Sequence, residues 1–260
     1  MLISEFDAFV RDALIAPMAP ADAADAAPNG LQVGAADAPV ARVAFAVDCG
    51  LEVLRRAADQ EAQLLFVHHG LFWGRHVTVT GGLFERLRVL MQRDLALYAV
   101  HLPLDAHPRL GNNAGMAAAL GLTDCRPFGD YHGVDIGVAG RVPEARYPDG
   151  ATLDELLADP FGGRERCSAV LPFGAERIRT VGLVSGGGTR IVSQAIAARL
   201  DLYITGDASH EVYHEALEAG INVVFAGHYA TETWGVRNMM AHTAAHTELA
   251  TTFIDLPTGL

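Results

Sequence analysis

The residues able to do chemistry in this chain are imidazoles and carboxylates at the ends of apolar runs. LLFVHHG closes on His68 and His69, YAVHLPLD carries His101 and Asp105, ITGDASH carries Asp207, and FAGHYATE carries His228 and Glu232. In open α/β sheets ligands collect beyond the carboxyl ends of strands, so four such endings predict one working face. His101/Asp105 and His228/Glu232 are each spaced i,i+4, which brings the two groups onto one face where a helical turn begins. The adjacent pair His68 and His69 alternates sides in an extended strand, so the two imidazoles suit one ion each rather than a shared one. Imidazole plus carboxylate without thiolate fits Zn, Mn, Fe, Co or Ni, and two such ions sharing a carboxylate can activate a water for hydrolysis. Taken singly, a tandem His pair is more often packed than metal-bound, and an acidic i,i+4 neighbour is usually a helix-surface contact. Their recurrence at equivalent places favours a metal centre.

Other chemistry is weaker or excluded. All 19 basic residues are Arg, which removes the Walker lysine, the kinase lysine and a Schiff-base lysine. Cys49, Cys125 and Cys167 are odd in number and form no C-x-x-C, against a disulfide framework or a thiolate zinc site. Cys49 after Asp48 reads as a small core residue rather than a nucleophile. SGGGTR lies between a strand and a helix, where it serves as a tight turn or, less often, a phosphate cradle. A net charge of −12 without like-charge blocks speaks against nucleic acid, and no run reaches the about 18 apolar residues of a membrane span. These features, with no leader-like start, predict a cytoplasmic protein.

The elements that must position these groups repeat. Ser4 and Asp7 with Phe6, Phe9, Val10, Ala13 and Leu14 on one face predict a capped amphipathic helix ending before Pro17. Apolar runs at 43–47, 64–67 and 95–100 alternate with helical stretches at 51–62 and 83–91, and the same order returns with runs at 180–184, 202–205 and 221–226. Arg42 and Arg179 stand 137 residues apart while His101/Asp105 and His228/Glu232 stand 127 apart, so the first copy carries ten extra residues, assigned to GLFWGRHVTVTGG. The expectation is an α/β fold of two related units from an internal duplication, with a metal cleft between strand carboxyl ends. Its divisions are 1–122, a connecting segment 123–178 of short antiparallel strands, and 179–260.

PNGLQVG, LLFVHHGLFWG, HLPLDAHPRLGNNAGMAAALG, ITGDASHEVYHEA and GHYATETWGVRNM together resemble the NGG-one-interacting-factor-three-like family, the GTP cyclohydrolase I type 2 homologues, over nearly the whole chain. The resemblance implies a ring-shaped homohexamer with two divalent metal ions per subunit. It places the ligands on His68, His69, Asp105, His228 and Glu232, with Glu232 bridging, His68 and Asp105 on one ion, and His69 and His228 on the other. His101 becomes the proton carrier or orienting residue. The implied activity is metal-dependent hydrolysis of a nucleotide-like or phosphorylated small molecule. The rival reading is a non-catalytic metal-binding ring that docks protein partners. Asp207 follows Gly where relatives more often carry Glu, which leaves its role open.

Overall fold

The computed structural model describes all 260 residues. Helices are α1 (Ile3–Val10), α2 (Ala19–Ala24), α3 (Leu51–Asp59), α4 (Gly81–Gln92), α5 (Leu102–Ala106), α6 (Asn112–Ala119), α7 (Leu153–Phe161), α8 (Val192–Ala197), α9 (Val212–Ala219) and α10 (His228–His246). Strands are β1 (Gly30–Val33), β2 (Arg42–Asp48), β3 (Leu64–His69), β4 (Ala96–Ala99), β5 (Thr123–Tyr131), β6 (Val134–Arg141), β7 (Ala169–Pro172), β8 (Thr180–Val184), β9 (Leu202–Thr205), β10 (Asn222–Phe225) and β11 (Ala250–Phe253). No helix is long and apolar enough to cross a membrane.

The chain divides into two compact units. Unit 1 comprises Met1–Leu110 and Gly235–Leu256, and unit 2 comprises Gly111–Trp234 and Pro257–Leu260. These cuts differ from a division at 122 and 178, and the second falls inside α10. The connecting segment does not stand apart, because β5, β6 and β7 are all strands of the unit 2 sheet.

Unit 1 holds a five-stranded sheet in the order β1-β4-β3-β2-β11, in which β2, β3, β4 and β11 are parallel and β1 runs antiparallel to β4. The central strands β2, β3 and β4 are near-continuous apolar runs because both faces are covered, whereas β1 and β11 at the edges are only partly buried. Leu65, Val67 and Leu97 pack with Val53, Leu54 and Ala57 of α3 and Leu87 and Leu90 of α4. Among the alternate residues Phe66 stacks on Tyr98 and lies tilted against Phe45, and Tyr98 meets Phe6 of α1 edge-on. The first helix starts at Ile3, ahead of Ser4. The Leu2 N–H donates to the Glu5 carboxylate at 2.7 Å, so Glu5 caps the turn expected of Ser4.

Unit 2 holds a six-stranded sheet in the order β5-β6-β8-β9-β10-β7. Its parallel centre β8-β9-β10 has the neighbour order of β2-β3-β4, and Val43 pairs Leu64 as Val181 pairs Leu202. This shared register is the structural form of the duplication. The antiparallel strands expected of the connecting segment are the β5-β6 hairpin, paired to β8 through β6, and β7, which pairs β10. The first copy is longer between its second and third parallel strands, where residues 70–80 and the 12-residue α4 stand against residues 206–211 and the 8-residue α9.

Candidate metal centre

The fold brings the imidazoles of unit 1 together at the carboxyl ends of β3 and β4. His68 and His69 end β3, and His101 is the residue on which α5 begins. Ring centroids lie 4.6 Å apart for His68 and His69, 5.0 Å for His68 and His101, and 5.8 Å for His69 and His101. Each of the three offers a ring nitrogen within 4.8 Å of the others. Strict strand alternation predicts a wider separation of His68 and His69. The difference arises where the strand ends, since His69 is drawn toward Asp48 of the neighbouring β2. Asp105 on α5 sets Oδ2 3.5 Å from Nε2 of His68, and both side chains are buried. In unit 2, His228 opens α10 and its Nε2 lies 3.1 Å from Oε1 of Glu232 one turn later.

All four imidazoles are held at Nδ1. The partner is the Val100 carbonyl for His68 at 3.0 Å, Asp48 for His69 at 2.8 Å, Asp25 for His101 at 2.9 Å and Asp207 for His228 at 2.8 Å. A carbonyl or carboxylate oxygen only accepts, so each Nδ1 carries the hydrogen, and in His68 and His228 the Nε2 atom faces a carboxylate. This is the carboxylate–histidine arrangement that fixes ring orientation and basicity in metal sites. The hydrogen bond to Glu232 pushes the His228 imidazolium up to about 9, against the opposing effect of burial, with Asp207 adding to the rise. A cation at Nε2 therefore displaces a proton. The donor set is nitrogen and oxygen with no thiolate, which fits a divalent transition metal or zinc. Cys49 is not among the clustered donors, and burial pushes its thiol up to about 11 despite the nearby Arg86.

Residues missed by sequence reasoning build the frame. Asp25, with a side chain 1% exposed, accepts from His101 Nδ1, from the N–H of Leu102 and Ala27, and from the Asn29 amide. Burial works to raise its carboxyl, yet these bonds and the charge of His101 leave it below its ordinary value. Asn29 also accepts from the His101 N–H at 2.7 Å. Gln32 accepts from the Leu71 N–H at 2.8 Å and donates to the Pro28 carbonyl, and its amide fills the space a β-carbon at Gly70 needs. PNGLQVG therefore clamps both the HHG loop and the start of α5. Its polar residues at fixed offsets were the available signal, visible only as a turn without knowledge of the partners.

The SGGG turn has a comparable role in unit 2. Gly186 N–H donates to Thr231 and Gly188 N–H to Thr205, while Asn113 accepts from Ser185 N–H, so these backbone donors are already engaged rather than arrayed for phosphate. Gly186 has φ +59°, and a β-carbon there would overlap the Glu232 carboxylate. The glycine lets the backbone pass beneath Glu232. Asp207, whose role the sequence left open, orients His228. His210 and His214 are exposed on or beside α9.

A family model described as Duf34/NIF3 (NGG1p interacting factor 3) matches residues 4–258. A Deinococcus radiodurans protein named GTP cyclohydrolase 1 type 2 homolog is 46% identical over 233 residues, covering 89% of this chain and 86% of the relative. A Treponema pallidum protein of the same name is 41% identical across the whole of both chains. The crystal structure of TTHA1606 from Thermus thermophilus superposes with a TM-score of 0.87 at 37% identity, covering all of both chains. With its fold, its duplicated strand ends and these likenesses in agreement, the chain belongs to the Duf34/NIF3 family.

Proposed function

We propose that the protein is a dinuclear-metal-dependent hydrolase acting on a nucleotide-like or phosphorylated small molecule. The observation that carries the reading is the common locking of four imidazoles at Nδ1, which aims Nε2 of His68 and His228 at buried carboxylates and gathers three rings in unit 1. His68 and Asp105 would hold one ion, His69 and His228 the other, and Glu232 would bridge them. Bound there, two divalent cations would supply Lewis acidity toward water and substrate oxygens. Asp48 and Asp207 hold the ligand rings in the required tautomer. His101, hydrogen-bonded to Asp25, would use Nε2 to take a proton from the attacking water and return it to the leaving group. The family name of the relatives supports a nucleotide-like substrate. Kinship supports assembly as a homohexameric ring, and a cytoplasmic site of action fits three free cysteines.

Elemental analysis of purified wild type beside Asp105→Ala tests the centre, with two divalent ions per chain expected in the first and a loss of at least one in the second. Turnover of a nucleotide and phosphoester panel by metal-loaded wild type and by Glu232→Ala tests catalysis. A fall of about 10²-fold or more is expected on removing the bridging carboxylate. Equal rates would reject the enzyme and leave the scaffold reading.

A further inference from the structure

Trp73 stands at the imidazole cluster and is 38% exposed. Its indole meets His101 edge-on, with centroids 5.0 Å apart and planes at 83°, and lies 5.8 Å from His69 at 47°. The chain on both sides holds it there. Leu71 is buried and Phe72 packs on the unit 1 core. Gly74, at φ +65°, passes so close to Ala26 that a β-carbon would sit 2.8 Å from its carbonyl oxygen, and Ala26 adjoins the Asp25 that orients His101. The backbone is thus tied to the frame of the site while the residue stays partly open to solvent.

An exposed indole anchored this way is unlike a core tryptophan, whose benefit comes from burying its large apolar surface. What it offers at a polar site is a π-face for stacking, which tolerates any planar heteroaromatic ring. Arg75, two residues on, is also exposed and carries the permanent positive charge that meets phosphate. The loop lies within the stretch by which the first copy exceeds the second, and the shorter residues 206–211 contain no aromatic side chain other than the imidazole of His210.

We propose that Trp73 determines specificity by stacking the planar heteroaromatic ring of a nucleotide-class ligand at the mouth of the imidazole cluster, with Arg75 meeting the anionic tail. The proposal rests on the reading of that cluster as the reaction site. GMP and guanosine serve as probes, with binding to metal-loaded full-length protein measured by equilibrium dialysis and by indole emission. The expected result is saturable quenching in wild type, about tenfold or greater weakening of both ligands in Trp73→Ala, and less than threefold weakening in Trp73→Phe, with metal content unchanged. Arg75→Ala should weaken GMP but leave guanosine within twofold. Trp73→Ala binding GMP within twofold of wild type would overturn the proposal, as would wild type binding no GMP at millimolar concentration. Loss of metal from Trp73→Phe would also overturn it, since the ring would then be supporting the centre. Two outcomes separate this idea from the hydrolase. GMP binding that depends on Trp73 without turnover of any panel member rejects the hydrolase alone, whereas turnover by Trp73→Ala at unchanged KM rejects the stacking wall alone.

Discussion

Aligning Val43 with Val181 and Leu64 with Leu202 sets the two copies side by side and shows how a duplicated unit divided its chemistry. On that register His68-His69 corresponds to Gly206-Asp207, and Asp48 corresponds to Gly186. The first copy places imidazoles at the end of its middle strand and orients His69 with Asp48 from the strand beside it. The second copy has a carboxylate at that place, and Asp207 orients His228 from the following strand end. Gly186, where the first copy has Asp48, leaves room for Glu232. His101, the counterpart of His228, has no carboxylate at the equivalent of Asp207, because His69 is there. Its orienter is Asp25, from the turn after α2 and outside the repeated elements. One copy therefore supplies three clustered imidazoles with buried Asp105, and the other supplies a single imidazole with Glu232. The lesson is that a repeated backbone reproduces positions at strand ends, while roles are reassigned by exchanging residues within hydrogen-bonding reach.

The largest expected effect comes from undoing the second copy's solution. Gly186→Ala adds a β-carbon at positive φ against the Glu232 carboxylate, and a loss of about 2–4 kcal/mol is expected in urea unfolding, together with reduced metal content. Asp25→Ala removes the first copy's external orienter and leaves the N–H groups of Leu102 and Ala27 without their acceptor. A cost of about 2–3 kcal/mol follows from buried donors losing a charged partner, read by the same unfolding curves. Full stability in Asp25→Ala would break the account of His101.

A smaller effect sharpens the contrast through pH. In metal-free protein the folded-state value of His228 is raised to about 9 by Glu232 and Asp207, above its unfolded value of 6.5. Its contribution is complete below pH 6.5 and is lost as pH rises through about 9. Since a third of the side chain is exposed, the amount is on the order of 1 kcal/mol after solvent screening. Urea midpoints of chelator-treated wild type and Asp207→Asn should therefore differ more at about pH 6 than at about pH 10. A constant difference would contradict this linkage. The smallest effect is Gly50→Ala in the first copy, where a β-carbon meets nothing within 4 Å, with an expected change within about 0.5 kcal/mol.

Much of the parallel framework was legible because its cause is local. Runs such as Leu64–Val67 and Leu202–Thr205 bury both faces, and the polar residues that end them mark where strands stop. His228/Glu232 met on one helical face as an i,i+4 pair should. In the first copy Asp105 of α5 meets His68 from the end of β3, a contact no local spacing announces. The return of β11 to pair with β2 was not legible, since ATTF resembles many short extended segments and its partner lies some two hundred residues upstream.

The sequence by itself determined which side chains could carry the chemistry, for it set the duplicated pattern, the strand endings and the imidazoles and carboxylates they bear. Only the tertiary structure decided that Asp25, Asp48 and Asp207 orient three of those rings, and that Gly186 makes space for Glu232. The reason is one of range. Periodicity and chain punctuation act over a few residues, whereas a hydrogen bond between residues 25 and 101 exists only after the backbone has brought them within 2.9 Å.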